Sequence, residues 1–177
     1  METVMESHDQ SFERETLQWF DDVYRFAYSL TRNSADADDL LQETYLRAYR
    51  SWRTFIPGSN ALRWLLTICR HNHIREVLRA RRYEDFEDGD VASTLNVHEQ
   101  TVQRDQVAMV YEAIHRLPEP FRSTIVLVDV EDQTYASTAG ICGVPRGTVR
   151  SRLFRARRLI RGMMAHAMRP STQERAM

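Results

Sequence analysis

The chain has 177 residues, 42% of them hydrophobic and 28% charged, which suits one ordinary domain or two small ones and excludes collagen-like, low-complexity and wholly disordered proteins. No run approaches the ~20 apolar residues of a membrane span, and Glu2, Glu6, Asp9, Glu13 and Glu15 are the wrong residues for a secretory signal, so a cytoplasmic protein without direct membrane insertion is expected. The formal net charge of −1 hides a gradient: residues 1–82 are neutral, 83–132 carry a net −9 and 133–177 a net +8. Between Asp132 and Glu174 there is no acid, while Arg146, Arg150, Arg152, Arg155, Arg157, Arg158, Arg161 and Arg169 accumulate, the electrostatic footprint of a polyanion partner.

Glycine and proline are scarce (6 and 5) and apolar residues recur at three- and four-residue steps, so the chain reads as all-α. The first helix is predicted from Phe12 to about Leu30, burying Trp19, Phe20, Val23, Phe26, Ala27 and Leu30. Asn33-Ser34 resets the chain, with Ser34 as expected N-cap and Asp36, Asp38 and Asp39 favourably placed against the dipole of a second helix running to about Trp52. A turn over Phe55-Ile-Pro-Gly-Ser-Asn precedes a third helix, Ala61 to about Arg82. One small helical domain is thus expected over 1–83. Residues 84–101, with Glu84, Asp85, Glu87, Asp88 and Asp90 around Gly89, read as a flexible acidic linker.

A second domain is expected over 102–165, followed by a tail, 166–177. Its first helix carries a stripe of Val107, Val110, Ile114 and Leu117 and stops at Pro118-Glu-Pro; another restarts through Phe121, Ile125 and Val128. Two further helices, about Thr134 to Cys142 and Pro145 to Met164, have the form of a helix-turn-helix, with Ala139 at the crossing, Gly143 in the turn and Val144 closing the core. In the last helix Val149, Leu153, Ala156 and Ile160 share one face, which turns Arg146, Arg150, Ser151, Phe154, Arg155 and Arg158 outward. Arginines so placed suit base edges and phosphates in a DNA groove, with Thr148 and Ser151 as further phosphate donors.

The run Leu117-Pro-Glu-Pro-Phe-Arg, then Asp129-Val-Glu-Asp-Gln-Thr-Tyr, then Gly143-Val-Pro-Arg-Gly-Thr-Val-Arg-Ser-Arg-Leu resembles region four of bacterial extracytoplasmic-function sigma factors. The resemblance implies recognition of the minus-thirty-five promoter element by Arg146, Thr148, Arg150, Ser151, Phe154 and Arg155. The chain departs from the family pattern at Ala136, Ser137 and Thr138, where acidic residues followed by Ile are usual.

The segment Asp36-Ala-Asp-Asp-Leu-Leu-Gln-Glu-Thr-Tyr-Leu-Arg-Ala-Tyr-Arg is similar to the family's polymerase-binding helix in region two. Helical spacing puts Leu41, Thr44, Tyr45, Ala48 and Trp52 on one stripe and Asp39, Gln42, Glu43, Leu46 and Arg50 on another, polar apart from one leucine. The second stripe is, by resemblance, the surface for the clamp helices of the polymerase largest subunit. The loop after it and Arg63-Trp64-Leu-Leu-Thr-Ile resemble the promoter-melting segment. Pro57, Gly58, Ser59, Asn60, Arg63, Trp64, Arg70, His71 and Arg75 are then the candidate minus-ten contacts, with Arg79 further along the same strand path. His71 occupies the place where the family usually has Asn, and Asn72 follows it. Extruding a base from the stack needs a pocket or an aromatic platform to offset the lost stacking, although Trp64 at helical spacing also suits a core position.

As a whole the resemblance implies an all-α, two-domain alternative sigma factor that initiates promoter-specific transcription in stress response. Its implied partners are core RNA polymerase, through the clamp helices and the flap region, promoter DNA and an anti-sigma factor. No catalytic motif, cofactor motif or small-molecule substrate site is visible. Cys69 and His73, four residues apart, lack the further ligands that zinc requires. A helix-turn-helix regulator that binds operators as a symmetric dimer, without polymerase, is the alternative of a different class.

Overall fold

A computed structural model describes residues 8–84 and 102–167. The predicted first helix is two helices, α1 (His8–Thr16) and α2 (Phe20–Thr31), joined by a 3-10 turn over Leu17–Trp19. The break is made at Thr16. Thr16 is fully buried and its hydroxyl donates back to the Phe12 carbonyl (2.7 Å), while the Thr16 carbonyl accepts from the Tyr45 hydroxyl (3.0 Å). Such back-bonding bends a helix, and here a neighbouring helix takes the carbonyl that the next turn would use.

Helix α2 ends at Arg32 in a left-handed conformation (φ 56°), and Asn33 caps α3 (Ser34–Arg50). The cap therefore lies one residue before the expected Ser34. Asn33 has the extended backbone a cap requires, and its side-chain oxygen accepts from the N–H groups of Ala35 (2.8 Å) and Asp36 (3.3 Å). Asn33→Ala is expected to cost about 1 kcal/mol, whereas Asn33→Asp keeps the cap. A thermal melt of the two variants checks this.

The chain then makes a 3-10 turn, Trp52–Thr54, and the exposed loop 56–60, in which Gly58 has a φ of 78° that favours glycine. Asn60 accepts from the Arg63 N–H (2.7 Å) and starts α4 (Ala61–Glu84). Trp52 stacks on Phe55 (ring centroids 4.6 Å apart, planes 10° apart), and Trp64 leans on both. Trp64 is half-buried at the edge of the core, so it serves the packing and borders the loop at once.

Helix α5 (Val102–His115) leads through buried Leu117 to α6 (Phe121–Ile125), which widens into a π turn, Val126–Val130. The turn brings Val126 and Leu127 fully into the core. Thr134 caps α7 (Tyr135–Cys142) by accepting from the Ser137 N–H (3.1 Å). Gly143 (φ 65°) then ends α7, with the Val144 N–H on the Ala139 carbonyl (3.0 Å). Helix α8 (Arg146–Ala167) buries Val149, Leu153 and Ala156 and extends past the expected domain end at 165. The acidic linker after Glu84 and the tail after Ala167 lie outside the described residues.

The predicted all-α architecture of two helical units holds, α1 to α4 and α5 to α8, with no strand among the described residues. Periodicity did not reveal that the units join. One hydrophobic cluster runs from Val23, Phe26, Leu40 and Leu65 of the first to Leu117, Leu127, Ile141 and Leu153 of the second. An ion pair between Arg32 and Glu112 (2.8 Å) and a hydrogen bond from Arg70 to Ser123 (3.1 Å) also span them.

Candidate partner and nucleic-acid interfaces

Helix α3 presents the two stripes expected of it. Leu41, Thr44 and Ala48 are buried, and Tyr45 and Trp52 are half-buried. On the other side Asp39, Gln42, Leu46 and Arg50 are exposed, Glu43 is half-buried and paired with Arg47, and Leu46 keeps 44% of its surface in solvent. Leu46 thus stands exposed among Asp39, Gln42 and Arg50 on the side of α3 away from the core. Tyr49, also exposed, extends this surface and donates to Asp9 (2.6 Å); it was missed because helical spacing alone does not separate it from the buried stripe.

Around the 56–60 loop, Pro57, Gly58, Ser59, Asn60 and Arg63 are exposed and lie together at the start of α4, beside the Trp52, Phe55 and Trp64 rings. Ile56, the first residue of the loop, is 73% exposed. Further along α4 the expected residues separate. His71 and Arg75 face outward, whereas Arg70 is buried against the second unit. Asn72, next to His71, is buried with neither amide atom hydrogen-bonded.

On α8 the six expected positions form one surface: Arg146, Arg150, Ser151, Phe154 and Arg155 are exposed and Thr148 is half-buried. Phe154 is 62% exposed, and the Ser151 hydroxyl donates to the Thr148 carbonyl (3.0 Å). Arg157 belongs elsewhere, since it makes a bidentate pair with Asp129 (3.0 and 2.7 Å). The basic face is thus free of acids while its neighbour is neutralised. Between α5, the π turn and α8 lies an apolar groove of about 1040 Å³, lined by Val107, Val110, Tyr111, Ile114 and Phe154, with Arg150 and Arg161 adding positive charge.

The buried titratable groups are structural. Burial pushes the Cys69 thiol up to about 12, and Cys142 is also raised, so neither is a reactive thiolate. Tyr45, raised to about 12 mainly by burial and then by Asp22 and Asp21, stays a hydrogen-bond donor. Among the described residues no three metal-type ligands come together. His73 is lowered to about 4 by burial first and then by Arg122, His115 and Arg70, so it is neutral near pH 7 and forms no ion pair with Glu119, 3.9 Å away. Because the folded state binds this proton more weakly than the unfolded chain, its contribution is fully present above the ordinary value of 6.5. It is lost as the pH falls towards about 4. His71 and His115 shift in the same direction. Denaturant titrations from pH 7.5 to about pH 4.5 are expected to show falling stability, with a shallower fall in His73→Gln.

The sigma-70 region 2 family model matches residues 18–83, and that for sigma-70 region 4 matches residues 108–160. The ECF RNA polymerase sigma factor EcfG of Rhodopseudomonas palustris is 38% identical over 132 residues, which are 75% of this chain and 73% of that protein. The chain belongs to the extracytoplasmic-function sigma factors. The RNA polymerase sigma-H factor of Pseudomonas aeruginosa is 30% identical over 90% of this chain and 89% of its own. Among solved structures, the sigma factor RpoE of Bartonella quintana, in complex with the anti-sigma factor NepR, superposes with a TM-score of 0.75 at 28% identity, over 88% of this chain and 97% of that one.

This sigma factor is accordingly a transcription initiation factor that binds core RNA polymerase and promoter DNA, and not an enzyme. Region two corresponds to the first helical unit and region four to the second. The α3 surface and the 56–60 loop lie within the match to region two, and the basic face of α8 within the match to region four. Helix α1 precedes both matches, yet its Phe12 sits in the core against Trp52, edge to face at 5.3 Å. At the departure in α7, buried Thr138 leaves its hydroxyl without a hydrogen-bond partner, where the usual Ile would pose no such demand. No described helix is long and apolar enough to cross a membrane.

Proposed function

We propose that this cytoplasmic sigma factor divides its task among three surfaces. Asp39, Gln42, Glu43, Leu46 and Arg50 of α3 hold the clamp helices of the polymerase largest subunit, with Leu46 at the apolar centre. Pro57, Gly58, Ser59 and Asn60, with Arg63, Trp64, His71 and Arg75, take the melted minus-ten strand, and Arg70 joins them when region four moves away. Arg146, Thr148, Arg150, Ser151, Phe154 and Arg155 read the minus-thirty-five duplex from the major groove. The carrying observation is the exposed face of α8, where three arginines and an unpacked phenylalanine stand together without a carboxylate.

The α5 wall of the region-four groove, Val107, Val110, Tyr111 and Ile114, suits the apolar face of an amphipathic helix, and we assign that wall to the flap region of the polymerase, leaving Arg150 and Phe154 to the duplex. An anti-sigma factor controls the protein by holding these surfaces away from polymerase, a reading supported by the NepR complex of the Bartonella relative. A photo-crosslinking amino acid placed at Leu46 should mark the polymerase largest subunit, and one at Phe154 the upstream promoter duplex. Crosslinks exchanged between those two targets, or made to neither, would overturn the assignment.

A further inference from the structure

We infer that α1 is a working part of the polymerase contact: its first turn, through Asp9 and His8, holds the Tyr49 ring of α3 in place as a second anchor beside Leu46. The inference rests on the reading of the α3 face as the clamp-helix surface, and it adds to that face an element lying outside both family matches. Helix α1 meets a row of aromatic side chains on α3 and the turn that follows it. Three hydrogen bonds tie them together: Tyr45 donates to the Thr16 carbonyl (3.0 Å), Tyr49 to the Asp9 carboxylate (2.6 Å) and Trp52 to the Ser11 hydroxyl (3.1 Å). Phe12 stands edge to face against the same three rings, with centroids 6.5, 5.3 and 5.3 Å away.

Within that row Tyr45 and Trp52 are half-buried, whereas Tyr49 is 42% exposed. Positions 42, 46 and 49 follow one another at steps of four and three, so Tyr49 continues the ridge that carries Gln42 and Leu46. An exposed side chain ordinarily exchanges among its rotamers. Here the hydroxyl is held by Asp9, and the ring lies between the edge-on rings of His8 (5.2 Å, 88°) and Phe12 (5.3 Å, 83°). The hydrogen bond from Tyr49 holds the Asp9 carboxyl below its ordinary value, so the acceptor is ionised near pH 7. Asp9 and His8 are themselves exposed and add nothing to the core, so their contacts serve the position of Tyr49. Tyrosine is among the side chains that most often carry binding energy at an interface, and one already fixed in place gives up less freedom on binding.

The test is a double-mutant cycle on the full chain, read as affinity for core polymerase, with a thermal melt of every variant. Tyr49→Ala should weaken core binding by about tenfold. Asp9→Ala and Tyr49→Phe should each weaken it by about threefold, since each frees the ring. The two together should cost no more than either alone, because Asp9 acts through the hydroxyl that Tyr49→Phe removes. All four variants should melt as the wild type does. Core affinity unchanged in Asp9→Ala or in Tyr49→Ala would overturn the inference. So would an equal loss on Asp9→Ala whether residue 49 is Tyr or Phe, which would make Asp9 a contact in its own right. Losses that track lowered melting temperatures would also overturn it, by reducing α1 to a part of the fold. The reading of α3 fails separately: affinity unchanged in Leu46→Asp removes the clamp-helix surface, whereas a Leu46→Asp defect without coupling between Asp9 and Tyr49 removes only the role of α1.

Discussion

Arg150→Ala together with Arg155→Ala is expected to reduce transcription from a mapped promoter by a hundredfold or more, since one base-contacting arginine is worth about 1–3 kcal/mol. Both side chains are exposed on α8, apart from Val149, Leu153 and Ala156 that hold the helix in place, so the variant should melt as the wild type does. Its affinity for core polymerase through α3 should be unaltered. Arg157→Ala is the internal control, because that guanidinium is bound to Asp129 and not free for DNA. It should affect thermal stability more than promoter choice. Run-off transcription and core binding measured on the same preparations separate these outcomes; equal loss of core binding in the double variant would contradict the division of labour between α3 and α8.

Leu46→Asp should produce the complementary defect. In the free chain Leu46 is 44% exposed, so a carboxylate there is solvated and the fold is unaffected. Against an apolar partner surface the same carboxylate would be buried without a counter-ion, and a weakening of core binding by about a hundredfold is expected. Leu46→Ala removes only apolar contact and should weaken binding by about tenfold. Fluorescence anisotropy of labelled protein titrated with core polymerase measures both. Affinity unchanged in Leu46→Asp would remove this face from the polymerase contact.

Helical spacing revealed the faces of α3 and α8 because in both helices the apolar stripe packs against the core. The buried stripe of α3 and the core residues Val149, Leu153 and Ala156 of α8 lie where periodicity places them. It failed where a residue's surroundings come from distant chain. Val107 and Val110 read as core on α5, yet they are 56% and 37% exposed and line an open groove. Arg70 reads as an outward arginine because charge is rarely buried, but Ser123 and Glu119, more than forty residues away, give it a buried place. The break between α1 and α2 depends on Tyr45, and the cap of α3 on a one-residue choice between Asn33 and Ser34 that propensity does not decide. What periodicity lacks in each case is the identity of the neighbour.

The most direct measurement is run-off transcription with purified protein, core polymerase and fragmented DNA from its own genome, against core polymerase alone. Discrete new transcripts sharing paired upstream elements are the predicted result. Transcripts identical to those of core alone, from protein that also fails to bind core, would contradict the account.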